Sequence, residues 1–275
     1  MVGSMIRKVN DSDLFVSEPN PFMFGNGKNE PGNPKWTNSN WLKSRFHFSF
    51  AEYRNPRNSR FGTLRVMNDD LVQPDRGFGS HPHANMEIVT YVVDGMLTHK
   101  DSNGNEESLG RYSTQFMSAG NGVVHSEYND SKDEPVRFIQ MWIPPRKMGI
   151  PTNYGSSCGD YELVHNKWQH LVSDVQGSFQ TPVKIAQDTN MYVSELDEGK
   201  TLDIHIRSDR QAYLLCIEGS VELLGKGADK TESAELDGHD AAELFGDCKL
   251  TITAMEPKSH VLVVEMPKDG SSRFA

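Results

Sequence analysis

The chain is 275 residues long, with 36% hydrophobic and 24% charged residues and a formal net charge of −10. This is a globular and not a disordered composition, with room for one or two domains, and no apolar run approaches the ~18 residues of a membrane-spanning helix. The acid excess repels phosphate backbones, so direct nucleic-acid binding is not expected; without a signal-type apolar stretch at the start, the expected location is cytoplasmic, with the nucleus as the alternative.

In chain order, residues 1–40 are expected to form an irregular extension, because 17–40 are crowded with Asn, Pro, Gly and Ser. From Trp41 the texture changes to short apolar or alternating runs, each closed by turn residues. They are FHFSFA, FGTLRVM, MEIVTYVV, GMLTHK, VRFIQMWI, YELVH and VKIAQ, and then MYVSELD, TLDIHI, AYLLCIEG, SVELLG, LTITAME and HVLVVEMP. Many short strands with regular turn signals predict an all-β sandwich or barrel, with convincing helices nearly absent. The turn at 151–160 divides a first domain, 41–150, from a second, 160–267. YVVDGMLTHKDSNG and LLCIEGSVELLGKG match loosely across it, suggesting two barrels of related design. Cys158, Cys216 and Cys248 are too scattered for a disulfide framework or a CxxC clip and are expected to be reduced thiols.

The stretch that carries chemistry is 79–129. His81 and His83 are two apart, and residues i and i+2 of a strand share a face. His125 and Glu127 repeat the spacing, so two adjacent strands would offer three imidazoles and one carboxylate to one point. That set suits a borderline divalent ion such as Fe(II), Mn(II), Ni(II), Cu(II) or Zn(II), leaving positions open for a substrate or dioxygen. A lone HxH is more often a pair of ordinary surface histidines; the second pair in matching parity is what raises this one above that reading. Glu87 is a rival carboxylate of the same parity, but a straight strand carries it about 13 Å beyond His83. It is expected to support the site from behind, bonding an imidazole N–H. His47, His99, His165, His170, His205, His239 and His260 have no such partner and are expected to be surface or structural, and the second domain is expected to bind no metal.

These residues carry a resemblance. FHFSFAEY, LRVMNDD, GFGSHPHANMEIVTYVVDG, HKDSNGN, MSAGNGVVHSEYN and FIQMWI make the chain similar to the pirin family, two-domain members of the cupin superfamily. It looks closest to the bacterial-type members with quercetin 2,3-dioxygenase activity. The resemblance runs from about Trp41 to Pro267. It implies two stacked cupin-type β-barrels (a bicupin), with metal only in the first, and places the family's four ligands on His81, His83, His125 and Glu127. Iron as Fe(II) becomes the favoured ion, with Ni, Mn, Cu, Co and Zn also accepted by this site type. The implied reaction cleaves a flavonol such as quercetin with dioxygen, and Glu127 would take the 3-hydroxyl proton as general base. The alternative is a non-enzymatic, redox-sensing iron regulator that docks on protein partners, as the nuclear-type pirins do. The chain departs from the pattern at Phe46, where relatives often carry histidine, and in the extension to about residue 40; it also stops soon after the last expected strand, without the nuclear-type tail.

Overall fold

The structure, a computed structural model, describes residues 4–28 and 40–268. The chain opens with β1 (Ile6–Val9) and continues through β2 (Phe15–Ser17), β3 (Leu42–Phe46), β4 (Val66–Val72), β5 (Arg76–His83) and β6 (Glu87–Asp94). Next come β7 (Leu97–Asp101), β8 (Glu106–Leu109), β9 (Thr114–Ser118), β10 (Val123–Asn129), β11 (Val136–Ile143) and β12 (Asn153–Ser157). A one-turn helix α1 (Tyr161–Val164) precedes β13 (Gln169–Asp174), β14 (Val183–Ile185), β15 (Asn190–Leu196), β16 (Thr201–Ile206) and β17 (Arg210–Glu218). The last five are β18 (Ser220–Lys226), β19 (Thr231–Asp237), β20 (Ala241–Phe245), β21 (Cys248–Ala254) and β22 (Ser259–Pro267). The fold is nearly all-β, as expected.

The strands form two compact units, each a seven-stranded sheet facing a four-stranded one. In the first unit, residues 15–60 and 64–159, the sheets run β12-β9-β6-β11-β4-β3-β2 and β5-β10-β7-β8. In the second they run β1-β20-β17-β22-β15-β13-β14 and β16-β21-β18-β19. Shifting the strand number by eleven turns β5-β10-β7-β8 into β16-β21-β18-β19, and β9-β6-β11-β4 into β20-β17-β22-β15. The loose sequence match thus sits on equivalent connections between the two sheets of each unit, β6–β7 and β17–β18. Each turns through a left-handed glycine, Gly95 at φ 77° and Gly219 at φ 70°. At Gly95 a Cβ would stand 2.3 Å from the Pro135 carbonyl oxygen, so only glycine fits there. Each unit has its own core. Trp41, Leu42, Val72, Val92, Leu97 and Phe138 close the first, while Leu214, Leu223, Leu250, Ile252 and Val263 are among those filling the second.

Several local expectations are corrected. The supposedly irregular extension supplies β1, paired along its length with β20 from Ile6↔Leu244 to Val9↔Ala241, and β2, paired with β3. Both pairings are with distant partners and invisible to local composition; residues 1–3 and 29–39 of that stretch lie outside the described residues. The run YELVH is α1 and not a strand. Asp160 caps it by accepting the Glu162 backbone N–H at 2.9 Å, as a helix start requires. In FHFSFA the strand ends at Phe46. The Ser49 hydroxyl both donates to the Asn55 carbonyl and accepts its N–H, folding the backbone into a turn instead.

Candidate metal centre

His81 and His83 lie on β5, which among the described residues is the edge strand of its sheet and pairs with β10, so Pro82 can be tolerated because its missing N–H breaks no second ladder. Burial alternates as intermediate, exposed, intermediate through His81, Pro82 and His83, so both imidazoles turn to the inside. On β10, Val123, His125, Glu127 and Asn129 point inward, and His125 stands directly across from His81. The register then slips by one, which sets Glu127 opposite Phe78.

Three imidazoles converge. Ring centroids of His81, His83 and His125 are 4.5 to 4.8 Å apart, and one nitrogen from each lies within 4.8 Å of the others. The Nε2 atoms of His81 and His125 are 3.0 Å apart, about the spacing of two nitrogens bound at about 2.1 Å to one ion at a right angle. His81 Nδ1 donates to the Gly79 carbonyl at 2.7 Å, which leaves Nε2 bearing a lone pair. His83 Nε2 is buried without a hydrogen-bond partner, an arrangement that an ion would satisfy. Burial, together with the neighbouring imidazoles, pushes the pKa of His83 and of His125 down to about 3, so both rings are neutral donors at physiological pH. The donor set fits a divalent transition ion.

Glu127 is 2% exposed and is gripped by amides: Gln140 Nε2 donates to Oε2 at 2.7 Å and Gln115 Nε2 to Oε1 at 3.1 Å. Its carboxylate groups with His99 and His125 within 4.8 Å, and is not part of the three-histidine set. Glu87, at the start of β6, is fully buried and accepts the Ser118 hydroxyl at 2.7 Å; it belongs to none of the convergent groups among the described residues. The carboxylates are therefore distinct, with Glu127 beside the histidines and Glu87 on Ser118.

A cavity of about 240 Å³ opens onto His81, His83 and Glu127. Phe46, Phe50, Phe78 and Trp142 wall it, and Met23 and Phe24 add to the wall from the segment ahead of β3. Trp142 meets His83 edge-on at 4.7 Å, and Phe24 lies 5.8 Å from His81. The polar side chains on this lining, besides the site itself and the two tryptophans, are Ser17, Glu52, Asn68, Asp70 and Gln140. Burial pushes the Asp70 carboxyl up to about 8, so it is largely protonated and able to donate. Spacing rules missed His99, Gln115, Gln140 and Asp70. A lone Gln inside the apolar run VRFIQMWI was the signal for Gln140, since a polar group kept in a core strand must meet a partner.

The larger depression on the protein, about 800 Å³, belongs to the second unit and none of its described lining residues is a histidine. The strands there equivalent to β5 and β10 put Leu202, Ile204, Leu250 and Ile252 in register across the ladder, where the first unit has its histidines. A separate group, Glu195, Glu218 and His260, converges from β15, β17 and β22. Its ligand atoms come from three strands, so no short motif marks it.

Residues 30–143 match the pirin family model, and residues 172–266 match that of the quercetinase C-terminal cupin domain. A pirin-like protein of Caulobacter vibrioides is 37% identical over 223 residues, 81% of this chain and 92% of that protein. This chain belongs to the pirin family. Another pirin relative, the quercetin 2,3-dioxygenase of Escherichia coli K12, is 34% identical over 230 residues, covering 84% of this chain and 94% of its own. Among solved structures, the bacterial pirin YhhW of Escherichia coli in complex with nickel(II) superposes with a TM-score of 0.75 at 30% identity, over 96% of this chain and all of that one. The two-unit fold is thus the bicupin fold of pirins, and a pirin relative takes a metal of the class inferred from the donors.

Proposed function

We propose that this pirin is a metal-dependent dioxygenase that cleaves a flavonol-like aromatic substrate with dioxygen, using one divalent ion held by His81, His83, His125 and Glu127. Iron as Fe(II) is the favoured ion. The observation that carries the reading is the convergence of three imidazoles, two of them held neutral by burial and one of those two with an orphaned Nε2, at an aromatic-walled cavity. An enclosed apolar pocket over the ligands suits a small planar molecule better than a docking partner. When bound, the ion supplies Lewis acidity, favouring the deprotonated form of a substrate hydroxyl.

The remaining work falls to side chains. Glu127 is part of the cavity lining and takes the hydroxyl proton as general base. Gln140 and Gln115 hold that carboxylate in place with two amide hydrogen bonds. Phe46, Phe50 and Trp142 orient the substrate ring system by stacking, and Asp70 donates to a substrate oxygen at the polar wall. Glu87 supports the β6 side of the site from its seat on Ser118.

The test is quercetin loss, followed by absorbance, with protein reconstituted in turn with Fe(II), Ni(II), Mn(II) and Zn(II) and checked for metal content. Turnover that scales with metal occupancy is expected. Full occupancy without loss of flavonol under any ion would move the function to the alternative, a regulator docking on protein partners, which the exposed Phe22 (65%) and Met23 (45%) would then serve.

A further inference from the structure

His99, an isolated histidine by spacing, is 1% exposed and sits behind His125, on the side away from His81. We propose that Asp101 and His99 form a tautomer relay that fixes the proton of His125 on Nδ1, so that its Nε2 lone pair is presented to the metal. The inference rests on the metal-centre reading above and adds two positioning residues to it.

The relay is read from donor and acceptor chemistry. Asp101 ends β7, and its side chain is surrounded by donors. Oδ1 accepts the backbone N–H groups of Asn103 at 2.8 Å and Asn105 at 3.1 Å; Oδ2 accepts the Asn105 amide at 2.8 Å. With N–H donors on both oxygens, the carboxylate is an acceptor only. His99 Nε2, 3.3 Å from Oδ2, must therefore be the donor. A neutral imidazole carries one N–H, so His99 Nδ1 is an acceptor. It faces His125 Nδ1 at 3.4 Å, and that contact is a hydrogen bond only if His125 donates. The proton of His125 is then on Nδ1, and Nε2 is left bare toward His81 Nε2.

The frame is rigid enough to hold the order. Tyr154 stacks flat on the His99 ring, with centroids 4.6 Å apart and an interplanar angle of 19°, and its hydroxyl is tied to Glu107 at 3.0 Å. In register, β10 sets His125 beside Asp101 and Glu127 beside His99, so all four groups lie on two adjacent strands. His99 Nδ1 is also close enough to act as a ligand itself with His125 and Glu127. The orphaned nitrogen, however, belongs to His83, on the other side of His125.

The experiment uses the full chain, 15N-labelled and stripped of metal, with nickel(II) as the probe. Long-range 1H–15N spectra of the imidazoles should show His125 protonated on Nδ1 and bare on Nε2 at neutral pH. His99→Phe keeps the ring on Tyr154 but removes the acceptor; it should let His125 sample both tautomers and weaken nickel binding roughly 10- to 100-fold. His99→Asn puts an amide oxygen where Nδ1 was and should recover both readouts. A wild-type His125 with its proton on Nε2, nickel affinity in His99→Phe equal to wild type, or His99→Asn as weak as His99→Phe would each overturn the relay. Wild-type protein that binds no nickel would instead sink the metal centre, and the metal-free spectrum still decides the tautomer, even should the variants fail to fold.

Discussion

Depressed imidazoles make a stability prediction for the metal-free protein. His83 and His125 fall from the ordinary 6.5 to about 3 on folding, so below pH 6.5 the unfolded chain takes up protons that the folded chain refuses. Stability is then lost as pH falls through 6.5 toward 3. At pH 5, about 1.5 units below the ordinary value, a fully buried ring costs about 2 kcal/mol. His125, at 2% exposure, should show nearly all of this. His83 is only half-buried, and solvent screening reduces its share to about 1 kcal/mol. Together the pair should cost about 3 kcal/mol between pH 7 and pH 5. The assay is denaturant unfolding of chelator-treated protein across that range, with Trp142, which touches His83, among the fluorescent reporters. The same series on His83→Gln/His125→Gln gives the reference. The wild type should lose about 3 kcal/mol more than the double variant; parallel pH profiles would refute the idea that these rings are held neutral.

Three further outcomes are expected. Glu127→Gln, fully loaded with metal, should lose roughly 10² to 10⁴ in quercetin turnover, while Glu87→Gln should lose roughly 10- to 100-fold; normal turnover in the first and none in the second would reverse the two carboxylates. Asp70 has its pKa raised from 3.8 to about 8, so its protonated form favours folding and that support is lost as pH rises from about 4 to 8; metal-free Asp70→Asn should gain on wild type over this window, by a few kcal/mol at most, and equal slopes in denaturant midpoint would contradict it. Elemental analysis should return one transition ion per chain; a second, abolished by His260→Ala, would place metal at the Glu195, Glu218 and His260 group and end the expectation of a metal-free second unit.

Much of this site could be read from the sequence because strand parity is a local property. His81 with His83, and His125 with Glu127, share faces whatever their partners turn out to be. Which strands meet is not local. Only the β5–β10 pairing puts His125 across from His81, and only the β7–β10 pairing brings His99 to the back of His125. A histidine with no neighbour at i+2 looked ordinary, although Leu97, His99 and Asp101 share one parity and a core leucine on that face hinted that the other two were inside as well. The N-terminal segment failed for the same reason. Asn- and Pro-rich composition argues against helices and central strands, yet β1 and β2 are edge strands, and pairing with β20 and β3 supplies what local sequence does not. Phe24 then reaches the cavity wall from a stretch in which no periodicity could be read.

The most direct test of one ion held by three histidines and Glu127 is an anomalous-scattering map from a nickel- or iron-loaded crystal of the full chain. A single strong peak is expected among the Nε2 atoms of His81, His83 and His125, with a Glu127 carboxylate oxygen in its coordination sphere. A peak seated instead between His99, the Nδ1 of His125 and Glu127, or no peak in the first unit at full loading, would contradict it.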